Sequence, residues 1–346
     1  MAGAETVSCV YVGNAESNEV FVLRLDGNSG ALDLVERVAL PGIATPGQTT
    51  PMAVTPDRRF LHVGVRSEPY TVVSFAIDAA SGRLRHIGNG PLADSMAYIA
   101  TDRSGRFLLS ASYGGHKVTV NPVAGSGVVQ PPAQIVTTEP NAHAIQADPS
   151  NRYVLATSLG SDVMHQFRFD PAAGTLAAHA PPTVPASPGG GPRHFVFHPG
   201  GRHVYLLNER AASVDVFAWN SGAGQLKRQQ TVSALPPDFD GKPWAADLHV
   251  TPDGNFLYAS ERTSSTLAGF RIDPVDGSLT PIGRTPTEKQ PRGFAIDPAG
   301  RFLLVVGQLS HAMSSYRIDT ATGALTRLGQ YPMGQNPNWV EIVTLP

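Results

Sequence analysis

Ionisable side chains stand at equivalent positions of an internal repeat, where packing alone would not require them. They are Arg66, His143, Arg193, His194, Glu209, Asp247, Arg262 and Arg292, and Gln308 occupies one of the same positions. Arginine binds carboxylates and phosphates through a planar fork of N–H donors. A carboxylate held among cations stays ionised and can accept a proton. The set therefore has the parts needed to bind an anion and to move a proton on it.

The repeat consists of a short alternating apolar strand, a turn rich in Pro, Asp and Gly, and a second apolar strand. Clear copies cover residues 52–65, 98–112, 144–158, 194–208, 247–261 and 293–307. The residue that follows each turn, Arg in five copies and Asn255 in the sixth, recurs every 46 to 53 residues. After each copy come a third strand, a Gly-containing turn and a fourth strand. A four-stranded unit of about 40–50 residues is typical of a β-propeller blade.

Seven second halves of the repeat are present but only six complete first halves, and the two ends of the chain account for the difference. Residues 8–14 have the pattern of a second strand, and residues 339–343 have the pattern of its missing first strand. We therefore predict an all-β fold in which residues 1–346 form one seven-bladed β-propeller. The C-terminal strand joins the N-terminal blade and closes the ring, which removes its open edge.

The geometry of a blade predicts where the ionisable residues lie. The first strand runs beside the central channel from one face of the disc to the other, and the second strand returns. Residues at a first-strand start, such as Arg193, and at a second-strand end, such as Glu209, should therefore meet at one mouth of the channel. A structural ion network that lines the channel is the alternative interpretation.

Composition argues against several classes of function. The formal net charge is −2 and no basic block is present, so nucleic acid is not an expected partner. No apolar run approaches the roughly 20 residues of a membrane span, and residues 1–10 lack the pattern of a signal peptide. The one cysteine, Cys9, cannot form a disulfide within the chain, which suits a reducing compartment. We expect a cytoplasmic protein with a small-molecule partner, and the oligomeric state stays open.

Three weaker patterns have simpler interpretations. Gly189-Gly190-Gly191 lacks the ending and the helix of a phosphate-binding loop, so a flexible entry to a strand is favoured. His143, His194 and His249 lack the spacing of a metal motif and have no thiolate partner, so neither a metal nor another cofactor is expected. Serines such as Ser110 lack the G-x-S-x-G elbow of a nucleophile.

Several strings of residues resemble the propeller-type bacterial 6-phosphogluconolactonases, and the likeness spans essentially the whole chain. These strings are Gly191-Pro192-Arg193-His194, Asn208-Glu209, Trp244-Ala245-Ala246-Asp247-Leu248-His249, Glu261-Arg262-Thr263, Gln290-Pro291-Arg292-Gly293 and Gly307-Gln308. The wider family includes fungal carboxymuconate-lactonising enzymes, which are thought to use a histidine, two arginines and a glutamate at the channel mouth. The matching residues here are His143, Arg193, Glu209 and Arg262, of which His143 matches most loosely.

The resemblance implies hydrolysis of a sugar-acid δ-lactone, most directly 6-phospho-D-glucono-1,5-lactone to 6-phosphogluconate in the pentose phosphate pathway. Water would attack the lactone carbonyl, arginines would stabilise the charge that builds on its oxygen, and Glu209 or His143 would act as general base. The candidates for binding the substrate and its phosphate are Arg66, His194, Asp247, Lys289, Arg292 and Gln308.

Two alternatives stay open. An unphosphorylated uronate or aldarate lactonase, or a muconate cycloisomerase, would also bind anions through arginine. A non-catalytic scaffold would show a large apolar or aromatic patch on a face of the disc. Trp244 and residues 235–243 are the only hints of such a patch, and we expect that segment to border the site instead.

Overall fold

The computed structural model describes residues 8–345, and every regular element in this range is a β-strand. The 28 strands form seven four-stranded antiparallel sheets. The predicted propeller is therefore confirmed. Residues 1–7 and 346, and with them most of the segment considered above as a possible leader, lie outside the described range. No helix in the described range is long and apolar enough to cross a membrane.

The strands are numbered in chain order, and the blades follow the same order. Blade 1 contains β4 (Met52–Val54), β5 (Phe60–Val65), β6 (Thr71–Ile77) and β7 (Leu84–Pro91). Blade 2 contains β8 (Met96–Thr101), β9 (Phe107–Ser112), β10 (Lys117–Pro122) and β11 (Gln134–Thr137). Blade 3 contains β12 (Ala142–Ala147), β13 (Tyr153–Ser158), β14 (Val163–Asp170) and β15 (Thr175–Pro185).

The remaining blades have the same order of strands. Blade 4 contains β16 (Pro192–Phe197), β17 (His203–Asn208), β18 (Ser213–Asn220) and β19 (Gln225–Ser233). Blade 5 contains β20 (Ala245–Val250), β21 (Phe256–Glu261), β22 (Thr266–Ile272) and β23 (Leu279–Pro286). Blade 6 contains β24 (Pro291–Ile296), β25 (Phe302–Gly307), β26 (Ala312–Ile318) and β27 (Leu325–Pro332). The closing blade contains β28 (Pro337–Thr344), β1 (Ser8–Asn14), β2 (Glu19–Leu25) and β3 (Leu32–Ala39).

The two ends of the chain close the ring, as the repeat predicts. Strand β28 pairs antiparallel with β1, from Ser8 opposite Thr344 to Asn14 opposite Pro337. The first strand of each blade contacts the first strands of its neighbours, and β28 contacts both β24 and β4 in the same way. First strands therefore line the central channel all the way round.

Interlocking turns hold neighbouring blades together. In each blade, the residue at the start of the second strand packs against a glycine in the outer turn of the next blade, where a Cβ atom would overlap it. The pairs are Phe60 with Gly127, Phe107 with Gly174, Tyr153 with Gly224, His203 with Gly277, Phe256 with Gly323, Phe302 with Gly30 and Cys9 with Gly82. All seven glycines have positive φ, which L-residues adopt at a cost. The recurring aromatic and the recurring glycine are thus two sides of one contact.

The first strands begin with an irregularity that the alternating sequence pattern does not reveal. Strands β8, β12, β16, β20 and β24 each shift register near their first residues, and β28 shifts where it meets the end of β1. A β-bulge releases residues from the regular ladder and redirects their side chains. These bulges lie at the positions that carry the ionisable residues.

Candidate active site

An ion-paired triad of Arg193, Glu209 and Arg262 forms the centre of the candidate site. Arg193 Nε and Arg262 Nη2 each donate a hydrogen bond of 2.8 Å to Glu209 Oε2. Arg193 lies in β16, Glu209 follows β17, and Arg262 follows β21 of the next blade. The fold therefore brings a first-strand start and two second-strand ends together at one mouth of the channel, as blade geometry predicts.

The carboxylate of Glu209 is ionised and only partly engaged. Burial by itself raises its pKa, but the charges of Arg193 and Arg262 and the hydrogen bond from Arg262 outweigh burial and hold the pKa below its ordinary value. The Glu209 side chain is 17% exposed. Both arginines bind Oε2, and no donor in residues 8–345 binds Oε1. Glu209 can therefore accept a proton or a hydrogen bond at Oε1.

The guanidinium of Arg193 is enclosed by protein, with a side-chain exposure of 1%. In addition to the bond from Nε to Glu209, Nη1 of Arg193 donates to the carbonyl oxygen of Ala246 and lies 3.1 Å from His194 Nε2. A buried cation is tolerated when it is paired and hydrogen-bonded on all sides. Arg193 is thus held rigidly, in a position to orient Glu209.

Arg262 is fixed from the other side by the residues at the start of β20. Its Nε donates to the carbonyl of Trp244 at 3.0 Å, its Nη2 donates to the carbonyl of Ala245 at 2.9 Å, and its guanidinium lies 3.8 Å from the centre of the Trp244 ring. Burial and the charge of Arg193 lower the pKa of Arg262 to about 9, so it stays protonated at neutral pH. Residues 235–243 lead into Trp244, and Thr263 Oγ1 donates to Lys242 O at 2.8 Å. The segment therefore lies beside the site, as expected.

The bulge in β16 explains how Arg193 and His194, which are successive residues, reach the same place. Side chains of successive strand residues normally point to opposite faces. Here the pairing of β16 with β17 jumps from Pro192 to Phe195, and both intervening side chains meet at the channel. Two adjacent residues can therefore act in one site.

Hydroxyl groups of second strands satisfy the backbone that the bulges release. Thr157 Oγ1 in β13 accepts a hydrogen bond from Ala144 N at 3.0 Å and donates to Arg193 O at 2.8 Å. Each of these backbone groups is buried and needs a partner. Thr157 therefore ties the bulge of blade 3 to the bulge of blade 4, beneath the triad.

Blade 5 repeats this arrangement two blades further round the ring. Ser260 Oγ in β21 accepts a hydrogen bond from Asp247 N at 3.0 Å and donates to Arg292 O at 3.4 Å. Ser260 thus links the bulge of blade 5 to that of blade 6.

Four rings pack together next to the triad, which they contact through His194 and Arg193, and we call them the aromatic floor: Tyr98, His143, His194 and Trp339. The His143 and His194 rings are 5.1 Å apart, His194 and Tyr98 are 5.1 Å apart, and Tyr98 and Trp339 are 5.3 Å apart. Burial, followed by the charge of Arg193, lowers the pKa of His143 well below its ordinary value, so the ring is neutral. Its Nδ1 is buried and has no partner among the described residues.

Asp247 connects two histidines. Its Oδ1 lies 2.8 Å from His194 Nδ1, and its Oδ2 lies 3.2 Å from His249 Nε2. Burial raises the pKa of Asp247, but the charge of His249 and the hydrogen bonds from both rings lower it far more. In the described part of the chain, no group of three or more His, Cys, Asp or Glu side chains is arranged to hold a metal ion.

Arg66 and Arg292 are the two cations of the mouth that have no carboxylate partner within residues 8–345. Arg66 donates to the hydroxyls of Ser95 and Thr49, each at 3.1 Å. Arg292 forms no side-chain hydrogen bond with described residues. Its pKa is well below the ordinary value, first through burial and then through the charges of Arg193, Arg262 and Arg66. A bound anion would relieve this repulsion.

The remaining predicted residues lie at the edge of this arrangement. Gln308 is buried, and its amide is bonded to Gln290 at 3.1 Å and to Asn336 at 2.7 Å. Lys289 is exposed and forms no ion pair within the described range. Neither residue contacts the triad, and substrate binding by them stays a prediction, as do the roles of the other predicted site residues.

The glycine-rich segment before β16 is a strand entry and is not arranged as a phosphate loop. Its N–H groups at Gly189 and Gly191 donate to the two carboxylate oxygens of Asp162, at 2.7 and 2.9 Å. A carboxylate thus already occupies the donors that a phosphate would need. The segment instead fixes the start of β16, two residues before Arg193.

The sequence analysis did not identify three features of the site: His249 as a partner of Asp247, Glu341 in the channel, and the hydroxyl of Thr157. One signal was available for His249, because residues two apart on a strand share a face. Glu341 belongs to the closing strand and stands outside the repeat positions that carry the other ionisable residues. Thr157 gave no signal, because its role depends on bulges that the repeat does not reveal.

Comparison with known proteins agrees with the fold. A family model described as "Lactonase, 7-bladed beta-propeller" matches residues 6–342. The 6-phosphogluconolactonase of Pectobacterium carotovorum is 41% identical over 336 residues, which cover 97% of this chain and 98% of that protein. The 6-phosphogluconolactonase of Serratia proteamaculans is 42% identical over 288 residues, which cover 83% and 84%.

A solved structure leads to the same family. The periplasmic gluconolactonase of Pseudomonas aeruginosa superposes with a TM-score of 0.88 at 31% identity, over 98% of this chain and 100% of that one. Sequence and structure thus match over nearly the whole length. The protein belongs to the lactonase family of seven-bladed β-propellers.

Proposed function

We propose that the protein hydrolyses 6-phospho-D-glucono-1,5-lactone to 6-phosphogluconate, the pentose phosphate pathway reaction for which its Pectobacterium and Serratia relatives are named. The observation that carries this proposal is the charge imbalance at the mouth. Arg292 lies within electrostatic range of three further guanidinium groups and of one carboxylate, the ionised Glu209, while the other carboxylate, Asp247, already binds two histidines. A phosphorylated substrate with a developing oxyanion supplies the missing negative charge.

Glu209 serves as the general base in this proposal. Its Oε1 takes a proton from a water molecule whose oxygen adds to the lactone carbonyl carbon. Arg193 and Arg262, which are enclosed behind Glu209, contribute positive charge to the site without direct contact as the carbonyl oxygen becomes negative. The bond between the carbonyl carbon and the ring oxygen then breaks, and the ring oxygen takes up the proton that Glu209 accepted, which restores the Glu209 carboxylate. The product is an open-chain acid with a new hydroxyl group.

Glu209 is a better candidate for the base than His143. The Glu209 carboxylate is ionised and has one oxygen without a donor, whereas His143 lies in the aromatic floor among guanidinium charges that oppose its protonation. Both groups have lowered pKa values, so access to the substrate decides between them: the Glu209 side chain is 17% exposed, whereas His143 is 5% exposed. His143 instead shapes the floor on which the substrate ring rests.

Arg292 and Arg66 are the proposed partners of the substrate phosphate. Neither is bound to a carboxylate in the described part of the chain, and burial, followed by the charge of Arg193, lowers the pKa of both. Guanidinium groups bind phosphate through two parallel hydrogen bonds. Lys289, which is exposed at the rim, would add attraction at longer range.

An unphosphorylated sugar-acid lactone is the second candidate substrate. The observation that favours it is the similarity to the Pseudomonas aeruginosa protein, which is described as a gluconolactonase. The two candidates share the chemistry of the carbonyl and differ only in the need for cations at the phosphate.

The test is turnover of 6-phosphogluconolactone and glucono-1,5-lactone side by side, at weakly acidic pH where spontaneous ring opening is slow. We expect a higher kcat/KM for the phosphorylated lactone. Replacement R292A should raise the KM for this substrate about 10–100-fold, the loss of one charge-assisted contact, with little effect on glucono-1,5-lactone. Arg83, which pairs with Glu36 on an outer strand, provides the control R83A. Equal turnover of both lactones by the wild type would contradict the phosphorylated substrate.

The protein is proposed to act in the cytoplasm, where a phosphorylated sugar acid would be found. Its lone Cys9 is buried, which also suits a reducing compartment. The Pseudomonas aeruginosa relative is described as periplasmic, so fractionation of cells with an antibody to the protein is the measurement that decides.

A further inference from the structure

A second polar region lies in the channel, beyond the aromatic floor. Two adjoining cavities of about 180 and 200 Å³ share Tyr98, Trp339 and Glu341 as lining residues. Later residues of the first strands complete their walls, so they open toward the face of the disc opposite the mouth. We call the cavity of about 200 Å³, which Asp247 and His249 also line, the rear cavity.

Asp247 spans the floor and joins the two regions. On the mouth side its Oδ1 accepts the Nδ1 proton of His194, at 2.8 Å. On the rear side its Oδ2 accepts the Nε2 proton of His249, at 3.2 Å. Because Nδ1 of His194 carries the proton, Nε2 is left to accept a hydrogen bond from Arg193 Nη1, at 3.1 Å. One chain of hydrogen bonds therefore runs from His249 to the cation that holds Glu209.

The charged groups around His249 come from three elements. Asp247 lies on the same strand, β20, and Glu341 faces it from β28, while Phe294 of β24 packs against the ring at 4.7 Å. Burial opposes protonation of His249, but Asp247, its hydrogen bond and Glu341 together raise the pKa above the ordinary value. Burial raises the pKa of Glu341 to about 7, although Trp339 Nε1 donates to its Oε1 at 2.9 Å.

On the mouth side, Asp247 is surrounded by one cation and by neutral side chains. Arg193 of β16 contributes positive charge, and Tyr98 of β8 is a neutral phenol whose pKa burial raises further. Burial and Arg193 lower the pKa of His194 to about 4, so His194 is neutral when His249 is protonated. His249 and Glu341, the two groups whose pKa values are raised, thus lie behind the floor and not in the mouth.

We propose that His249 is a positioning residue for the active site: through Asp247 and His194 it fixes the orientation of Arg193, and thereby of Glu209. The proposal rests on the proposed role of Arg193 and Glu209. Protonated His249 pins Oδ2 of Asp247 and leaves Oδ1 to hold His194 in one tautomer. When His249 loses its proton, the ion pair becomes a hydrogen bond from a neutral imidazole to the Asp247 carboxylate, and Asp247 is held less firmly.

The direction of the pH effect follows from the raised pKa of His249. The protonated form predominates below that pKa, so its contribution to kcat is present at weakly acidic pH and is lost as the pH rises. Glu341 helps to hold the proton on His249. Replacement E341Q should therefore move the alkaline decline of kcat to lower pH.

The experiment follows hydrolysis of 6-phosphogluconolactone from weakly acidic to weakly alkaline pH and determines kcat and KM for wild type, H249L and H249Q, with spontaneous hydrolysis subtracted. Leucine removes the donor to Asp247, and we expect kcat to fall by roughly 10–100-fold with little change in KM, the size of effect that small misplacement of a catalytic group produces. Glutamine keeps an N–H donor without a charge, so it should restore part of kcat and remove the alkaline decline. His86, which is exposed on β7, provides the control H86L.

A second readout is the ¹⁵N chemical shifts of the His194 ring, which report its tautomer. The proposal predicts a single tautomer in wild type and in H249Q, and a mixture in H249L. The proposal would be overturned if H249L had the same kcat, the same pH profile and the same His194 chemical shifts as the wild type. If H249L does not fold, a pH profile unchanged in E341Q would overturn it instead. Full activity of R193A would show that the proposed site itself is wrong, a failure that the His249 variants alone would not produce.

Discussion

Among single residues, Glu209 has two tasks that draw on different oxygens of one carboxylate. Oε2 neutralises two buried guanidinium groups, and Oε1 stays without a donor among the described residues. The arginines that fix Glu209 also lower its pKa, which weakens it as a base but keeps it ionised. A base of this kind relies on position and on the cations beside the oxyanion more than on proton affinity.

Replacement E209Q tests this division of tasks. Glutamine keeps the size of the side chain and an oxygen for Arg193 or Arg262, but it cannot take a proton from water. We expect kcat to fall by about 10²–10⁴-fold, the usual contribution of a general base. The pKa of Glu209 lies below the ordinary glutamate value of 4.5, so the acid limb of the wild-type kcat/KM profile should also lie below pH 4.5. Activity is present above this limb and is lost as the pH falls through it.

The control is E36Q, which removes a carboxylate that pairs with Arg83 on an outer strand. It should leave kcat and the acid limb unchanged, because an exposed pair contributes little and lies far from the mouth. If the Glu209→Gln enzyme had the wild-type kcat, Glu209 would not be the base, and His143 would be the next candidate.

Residue types and their positions in the repeat were sufficient to predict the triad, because each blade provides the same two positions at the mouth. Prediction failed where the site depends on bulges or on residues outside the repeat positions. The contact between Arg193 and His194 needs a bulge, since a regular strand would send successive side chains to opposite faces. The pairing of Asp247 with His249 could have been found from the two-residue period, but the roles of Thr157 and Glu341 depend on neighbouring blades.

At the scale of strands, the bulges are the elements on which the site depends. Each bulge leaves backbone groups without ladder partners, and Thr157 serves two of them at once, Ala144 N and Arg193 O. The hydroxyl thus couples the shape of β12 to that of β16. Blades 3 and 5, which carry Thr157 and Ser260, lie on either side of the blade that carries Arg193.

Replacement T157V should loosen this coupling. Valine has the same shape but no hydroxyl, so two buried backbone groups lose their partner, at a cost of about 1–3 kcal/mol in the free energy of unfolding. We also expect kcat/KM to fall, because the carbonyl of Arg193 is no longer held. Denaturant unfolding and lactonase kinetics measure the two effects.

Serine at the same position is the matched comparison. T157S keeps the hydroxyl and removes one methyl group, so it should retain most of the activity even if some packing is lost. If T157V and T157S have the same stability and the same kcat/KM, the hydroxyl does not support the bulge.

For the molecule as a whole, sevenfold near-symmetry makes the site possible. Residues from position 66 to position 308 reach one mouth only because the ring is closed, and closure depends on strand β28. That strand pairs with β1 over its length, contacts β24 and β4, and carries Asn338, whose Oδ1 accepts a hydrogen bond of 2.9 Å from Thr50 N. Closure therefore also fixes the loop that leads into blade 1.

Removal of residues 337–346 should abolish the folded ring, because β1 would become an open edge and blades 1 and 6 would lose their neighbour. The expected result is loss of the cooperative thermal transition and of lactonase activity, together with aggregation. We attribute this loss to the missing pairing of β28 with β1 and not to where the chain begins and ends.

A circular permutant separates these two causes. Residues 8 and 344 are opposite each other across β1 and β28, so a short linker can join them. The new termini are placed between Gly200 and Gly201, in the turn of blade 4. The β16–β17 pair then closes the ring, and we expect Tm and kcat/KM close to those of the wild type. A shortened chain that still unfolds cooperatively at the wild-type Tm, or a permutant that fails to fold, would show that closure by β28 does not have this role.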